Sequence, residues 1–281
     1  VQFELKTFEN GTVSVWDHHF GETMHSLIGP DQEAQIVYLQ QSQIKERLSK
    51  SQPEPLVVYD IGLGIGTNAL ACLDLFIQMQ PKRDLQLFSF ESNPLGLKFA
   101  LQHPTQFPYL QKYTSWLSDL LNENQIHFKT PSGQEFFWQL FVGDFRDLVT
   151  KTTAPEVVFY DLYSPKSCPE LWNLQTFELV FKSTEARRSI GQDTFLCTYC
   201  ASTAVRTAML LAGFHVGHGI STEGKRETTV ASTLKTDLIR PLGKAWLDRW
   251  NRSSNALPCD ISENKKTLVR EIFQERLHNI N

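Results

Sequence analysis

The chain has 281 residues, of which 41% are hydrophobic and 21% charged, with a formal net charge of -4. This makeup excludes a disordered, collagenous or coiled-coil protein, and the acidic balance argues against indiscriminate coating of DNA or RNA, which needs a basic surface. No apolar run approaches the about 20 residues needed to cross a bilayer, no signal peptide is apparent, and five cysteines are too few and odd in number for a disulfide scaffold, so a cytoplasmic protein away from membranes is expected.

In chain order, residues 1 to 20 read as a hairpin, because FELKTF and TVSVW alternate around Glu9-Asn10-Gly11 and Asn-Gly is a strong turn signal. Residues 31 to 50 carry Ile36, Leu39, Ile44 and Leu48 near helical spacing, with Asp31 as a candidate N-cap. SKSQPEP then breaks the pattern. From Leu56, strands at 56–62, 85–91, 136–144, 157–163 and 194–200 alternate with helical segments at 68–79, 95–101, 110–121, 170–184 and 202–211, the pattern of a parallel sheet covered on both faces. FHVGHGI and ETTVAS are joined by too short a turn for a crossover helix and are expected to pair antiparallel.

A parallel sheet closed by an antiparallel hairpin is the α/β, Rossmann-like arrangement of class I S-adenosylmethionine-dependent methyltransferases. Residues 1–52 are expected to form a hairpin and helix over the pocket, 53–233 the methyltransferase core, and 234–281 a C-terminal helical extension in which Trp246 and Trp250 share one apolar helix face.

The strongest local signal is Tyr59-Asp60-Ile61-Gly62-Leu63-Gly64-Ile65-Gly66-Thr67-Asn68, where a strand ends and a helix begins. Its glycines permit a sharp turn and close approach to a ligand, beside the free N–H groups of a helix start. A dinucleotide site requires G-x-G-x-x-G; an acid followed by G-x-G-x-G instead resembles the first motif of the methyltransferases. Glu91 closes the next strand about 25 residues beyond Gly66, where a carboxylate can accept two ribose hydroxyls or cap a helix. Asp144 closes the third strand, placed to accept from an adenine amino group or to cap the helix beginning near Phe145. Asp161 ends the fourth strand, at the point where strand order reverses. It can orient an amine nucleophile and take its proton, or bond only to backbone.

The stretches FGETMHSLIGPDQEAQIVYL (20–39), DLYSPKSCPELW (161–172) and YCASTAVRTAMLLAGFHVGHGISTEGKRETTVA (199–231) resemble the MnmC-like methyltransferase family over roughly residues 10 to 232. The resemblance implies methyl transfer from S-adenosylmethionine to the primary amine of a 5-aminomethyl-2-thiouridine at the tRNA wobble position. Asp161 would then stand by the amine, and Asp60, Gly62, Gly64, Gly66, Glu91 and Asp144 would hold the cofactor. The same resemblance brings His25, Ser26 and Glu33 to the pocket, whereas Met24 stands where an aromatic residue is expected. No second G-x-G-x-x-G follows, so the flavin domain of bifunctional members is not expected in this chain. Tyr163, Lys166, Trp172 and the turn bearing Lys225 and Arg226 are candidates for the RNA-facing surface, or equally for ordinary pocket rim and hairpin.

Other conspicuous residues have plainer readings. Cys197 and Cys200 fall three apart in one strand, point to opposite faces, and are expected in the core. His18, His19 and His25 lack a regular ligand spacing, and no metal is expected. Arg187-Arg188, Lys225-Arg226 and Arg249/Arg252 read as solvated faces more readily than as basic patches.

Overall fold

The computed structural model describes residues 2–24, 29–221, 227–235 and 238–276. Candidates His25, Ser26, Lys225 and Arg226 lie outside these residues. The N-terminal segment forms a small antiparallel sheet, β1 (Phe3–Thr7), β2 (Val13–Asp17) and β3 (Glu22–Thr23). The expected hairpin is β1–β2, with Leu5 opposite Val15, and β3 adds a third, two-residue strand.

The helix expected over 31–50 is interrupted. Residues Pro30–Glu33 form α1, with Gly29 rather than Asp31 at the N-cap; Ala34–Gln40 continue as a π-helix, and Ile44–Ser49 form α2. The break is local chemistry. Gln41 and Ser42 turn their side chains back onto the carbonyls of Val37 and Tyr38 (2.8 and 2.6 Å), competing with the helix ladder, and Gln43 adopts a left-handed conformation at φ 54°.

Eight further strands make one sheet: β4 (Leu56–Ile61), β5 (Leu85–Glu91), β6 (Gln125–Lys129), β7 (Glu135–Val142), β8 (Val157–Tyr160), β9 (Phe195–Thr198), β10 (His215–His218) and β11 (Thr229–Ser232). Their order is β10-β11-β9-β8-β4-β5-β7-β6. The expected five parallel strands are β7, β5, β4, β8 and β9, and β10 and β11 form the expected antiparallel close. β6, antiparallel to β7, had no counterpart in the sequence reading. Its QIHFK stretch is short and half exposed, and it follows α6 (below) through Asn124 at φ 56°. His127 and Lys129 pair with Glu135 across the edge, charges of the kind that blunt an edge strand against further pairing.

Strand alternation divides the core in two. Val58 and Cys197 face one apolar layer, Val57, Tyr59 and Leu196 the other. The first layer is covered by the π segment, α2, α3 (Thr67–Gln78), α4 (Leu95–Leu101), α5 (Pro108–Gln111) and α6 (Thr114–Glu123). The second is covered by α7 (Phe145–Leu148), α8 (Leu174–Ser183) with the short α9 (Glu185–Arg188) after it, α10 (Thr203–Ala212), α11 (Lys244–Arg252) and α12 (Lys266–Arg276). Cys197 and Cys200 occupy opposite layers, and all five cysteines are free. Arg187 does not sit on a solvated face: it joins Arg47 and Arg83 around Glu156 and Asp193. No helix among the described residues is long and apolar enough to cross a membrane, and no group of three or more potential metal ligands occurs among them.

Candidate active site

Strand order reverses between β4 and β8, which are parallel neighbours, while β5 lies on the other side of β4. Crevices at such points, beyond the carboxyl ends of the strands, are where open α/β sheets bind ligands. A cavity of about 710 Å³ occupies this position, a size that holds a nucleoside-sized molecule. Its floor is the ends of β4, β5 and β8, and its roof is the N-terminal sheet, including Trp16, Phe20 and Met24.

The glycine loop shows why its residues are needed. Gly62 has φ 94°, and a Cβ there would lie 2.3 Å from the Asp161 carbonyl oxygen, so only glycine lets the ends of β4 and β8 meet this closely. Gly64, at φ 55°, lines the cavity, and a Cβ added there would meet nothing within 4 Å, which leaves bare backbone facing open space. Glu91 stands opposite: its carboxylate accepts from the Gly64 N–H (3.1 Å) and the Asn93 N–H (2.9 Å). Burial raises its pKa against these donors. Met24 reaches over the start of α4, where a Cβ on Gly96 would fall 2.5 Å from its terminal methyl. The thioether thus fills the place where an aromatic ring was expected.

Asp60 does not line the cavity. It is buried between β4 and β5, where the Ser89 hydroxyl donates to its Oδ2 (2.8 Å) and Trp138 Nε1 donates to Ser89 (2.9 Å). Its Oδ1 is buried without a hydrogen-bond partner. Burial above all, with the nearby carboxylates of Asp161 and Glu91, lifts its pKa from 3.8 to about 8 despite the Ser89 bond. Asp60 therefore supports the glycine loop from below as a neutral acid.

Asp161 projects at the end of β8, its N–H bonded to the Ile61 carbonyl (2.9 Å). Asn68, at the start of α3, donates to its Oδ2 (2.7 Å). Tyr38, in the π segment, is wholly buried beside Asp161 and Glu33; burial first, then those two carboxylates, hold its hydroxyl well above the usual phenol range. Neither Asn68 nor Tyr38 was singled out from the sequence. Asn68 had a signal, its place two residues past the last glycine; Tyr38 had none, since a buried tyrosine on a helix reads as core.

Two other candidates are differently placed. Asp144 caps α7, accepting from the Arg146 N–H (2.9 Å) and guanidinium, and it does not line the cavity. Its strand, β7, ends at Val142, and the neighbouring arginine holds the carboxyl below its ordinary pKa. Trp172 is a correction to the rim expectation. Its ring is buried at 2% exposure against Tyr160, with Nε1 donating to the Tyr163 carbonyl (2.8 Å), because the segment after Cys168 folds back onto the core. Lys166 is exposed, and Tyr163 lines the cavity while stacking on Phe20 at 4.3 Å.

The structure thus brings together Gly62, Gly64, Glu91, Asp161, Glu33 and Tyr163 around one space. Among the described residues lining it are five carboxylates, Asp17, Glu22, Glu33, Glu91 and Asp161, and neither lysine nor arginine. This composition favours a cationic or amine-bearing ligand over an anionic one. An open glycine backbone, an acid closing the adjoining strand and the cavity's volume fit S-adenosylmethionine, whose sulfonium and ammonium groups are positive.

Comparison with known proteins agrees. A family model described as S-adenosyl-L-methionine-dependent methyltransferase matches residues 106–234, a span that includes Asp144 and Asp161 but not the glycine loop. The chain is 29% identical over 216 residues to the tRNA 5-methylaminomethyl-2-thiouridine biosynthesis bifunctional protein MnmC of Nitrosospira multiformis, covering 74% of this chain and 33% of that protein. It is 25% identical over 248 residues to the MnmC of Aeromonas hydrophila, covering 80% of this chain and 36% of the relative. The chain therefore spans about a third of the length of these relatives. In fold it is similar to the crystal structure of MNMC2 from Aquifex aeolicus, with a TM-score of 0.71 and 23% identity over 98% of this chain and 83% of that one. Over these spans the chain is similar to S-adenosyl-L-methionine-dependent methyltransferases, among them proteins of the MnmC type.

Proposed function

We propose that the protein is a cytoplasmic enzyme that methylates the primary amine of a 5-aminomethyl-2-thiouridine at the wobble position of tRNA. The observation that carries this reading is Asp161: a carboxylate at the strand end beside the glycine loop, in a cavity whose described lining holds acids and no cation. The names of the MnmC relatives supply the tRNA nucleoside.

When bound, S-adenosylmethionine supplies a methyl group on an electron-poor sulfonium carbon. Gly62 and Gly64 would line its path and Glu91 would take the ribose hydroxyls, with Glu33 at the same cavity. Gly66 packs behind them against Leu63 and Leu97 at the start of α3, and the candidates His25 and Ser26 lie outside the described residues. Asp144 would join them only after yielding its cap and its Arg146 partner. An amine attacks carbon only as the free base, so Asp161, oriented by Asn68, is assigned to hold the ammonium form and accept its proton. The remaining acceleration comes from placing nucleophile and methyl carbon in line within a space shielded from water. A base splayed out of the anticodon can enter by stacking and edge contacts, which an acidic protein can still provide, with Tyr163, Lys166 and the turn of Lys225 and Arg226 as its candidate contacts.

The test is transfer of tritiated methyl from S-adenosylmethionine to tRNA carrying the unmethylated aminomethyl nucleoside, beside tRNA lacking it and a pool of small amines. Label in the first alone supports the proposal; label in small amines alone moves the function to a metabolite. Asp161→Ala is expected to retain cofactor binding and lose at least ~100-fold in turnover, and unchanged turnover removes Asp161 from the mechanism.

A further inference from the structure

The loop that follows Asp161 lines the cavity with Leu162, Tyr163 and Ser164, and its backbone is fixed residue by residue. The Tyr199 hydroxyl donates to the Leu162 carbonyl (2.9 Å), and Trp172 Nε1 and Cys168 Sγ donate to the Tyr163 carbonyl (2.8 and 3.0 Å). Tyr199 and Trp172 belong to the α/β core and Cys168 to the loop itself. Ser164 is held differently. Both its N–H (2.9 Å) and its hydroxyl donate to Glu22, and the Ser167 hydroxyl donates to the same carboxylate (2.7 Å). Glu22 belongs to β3, in the N-terminal sheet, 142 residues away. A second tie lies beside it: the Tyr163 hydroxyl donates to Asp17 Oδ2 (3.0 Å) and its ring stacks on Phe20.

We propose that Glu22 is a positioning residue for methyl transfer, which sets the conformation of the 162–168 loop and so aims the acceptor-facing wall of the cavity at Asp161. Three donors converging on one carboxylate is more than is needed to attach a two-residue strand. All of them come from the segment directly after Asp161, and both Glu22 and Ser164 line the cavity. Burial raises the Glu22 carboxyl, but the Ser164 and Ser167 donors and Lys166 outweigh it and hold the group below its ordinary pKa, so it is charged at neutral pH. Charge-assisted bonds of this kind are the stronger class. Nothing in the inference requires Glu22 to touch the reacting atoms, and it rests on the reading of Asp161 given above.

The test compares Glu22→Ala, Glu22→Gln and Ser164→Ala with the parent enzyme. Hydrogen exchange over residues 162–168 in the protein without cofactor or acceptor gives a readout independent of activity. Glu22→Ala is expected to speed exchange there by at least ~10-fold while leaving β4 and β5 unchanged, since the lost bonds are local. With aminomethyl-bearing tRNA as acceptor, it is expected to lower kcat/KM by ~100-fold while the Kd for S-adenosylmethionine stays within about twofold. Glu22→Gln keeps an oxygen for the two hydroxyls but cannot accept the Ser164 N–H as well, and is expected to recover about half of the loss on a logarithmic scale. Normal exchange and normal kcat/KM in Glu22→Ala overturn the proposal. So does equal loss of cofactor binding and turnover in all three variants, which marks a merely structural strut. If the parent methylates no tRNA or amine, the functional reading fails, and faster exchange confined to 162–168 still supports the positioning of the loop by Glu22, while unchanged exchange overturns it.

Discussion

Asp60 is a carboxylic acid that the fold keeps neutral, and this has a measurable consequence. Its pKa is raised from 3.8 to about 8 by burial, so between these values the folded chain keeps a proton that the unfolded chain releases. Folding stability from this group is therefore complete below about pH 4 and is lost as pH rises toward about 8. Asp60→Asn removes the linkage. In urea unfolding of the ligand-free protein, the variant is expected to gain on the parent by up to ~1.4 kcal/mol per pH unit between pH 5 and 7; parallel pH profiles would refute the neutral acid. Glu227 has the opposite sign. Although burial raises it, Arg206, Arg249 and His218 together lower its pKa to about 2. Its stabilisation is present above about pH 4.5 and lost as pH falls toward 2, so Glu227→Gln is expected to flatten the acid limb of the same titration. Site residues were legible where they sit in a local pattern: the glycines, Glu91 and Asp161 each end a strand that periodicity had already located. Glu22 pairs with a partner 142 residues away and Tyr38 is marked by burial alone, which no local spacing encodes, while Asn68 is marked by its place after the glycines but not by its partner 93 residues on.

Elements were read best where their apolar period was unbroken. β4, β8 and β9 are largely hydrophobic runs because both faces are buried, while β7 buries alternate residues, and the closing antiparallel pair followed from a turn too short for a helix. The break at Gln41–Gln43 and strand β6 were missed because each depends on side-chain competition or edge pairing that hydrophobic spacing does not register. In α11 the aromatic spacing was informative: Trp246 and Trp250 both pack against Phe273 of α12, at 5.4 and 5.1 Å between ring centroids. Trp250 also donates from Nε1 to Thr207 Oγ1 (2.9 Å) on α10. Trp250→Ala is expected to cost ~3–5 kcal/mol in urea unfolding. Because Trp250 lines no part of the cavity, kcat measured well below the melting temperature is expected to stay within about twofold; a large fall in kcat would tie this layer to the site. At the glycine loop, Gly62→Ala forces a Cβ to within 2.3 Å of the Asp161 carbonyl. It is expected to separate β4 from β8 and weaken S-adenosylmethionine binding at least ~10-fold by calorimetry, a loss of ~1.4 kcal/mol.

At the scale of the molecule, net charge and cavity composition point the same way, toward positive small ligands. S-adenosylmethionine at ~100 times its Kd is expected to stabilise the fold by ~2.7 kcal/mol and raise Tm by about 5 °C, with NAD producing no shift. A shift with NAD and none with S-adenosylmethionine would contradict the cofactor assignment. The cavity joins two sheets whose facing residues are far apart in sequence, and this orders events during synthesis. β3 leaves the ribosome long before Ser164 exists, and at ~5–20 residues per second the 142 residues between them take roughly 7–28 s to translate. Through that interval the nascent N-terminal sheet presents Phe20 and Glu22 with neither Tyr163 nor the serines to receive them. β3 thus precedes the partners of Glu22 by the whole of that interval.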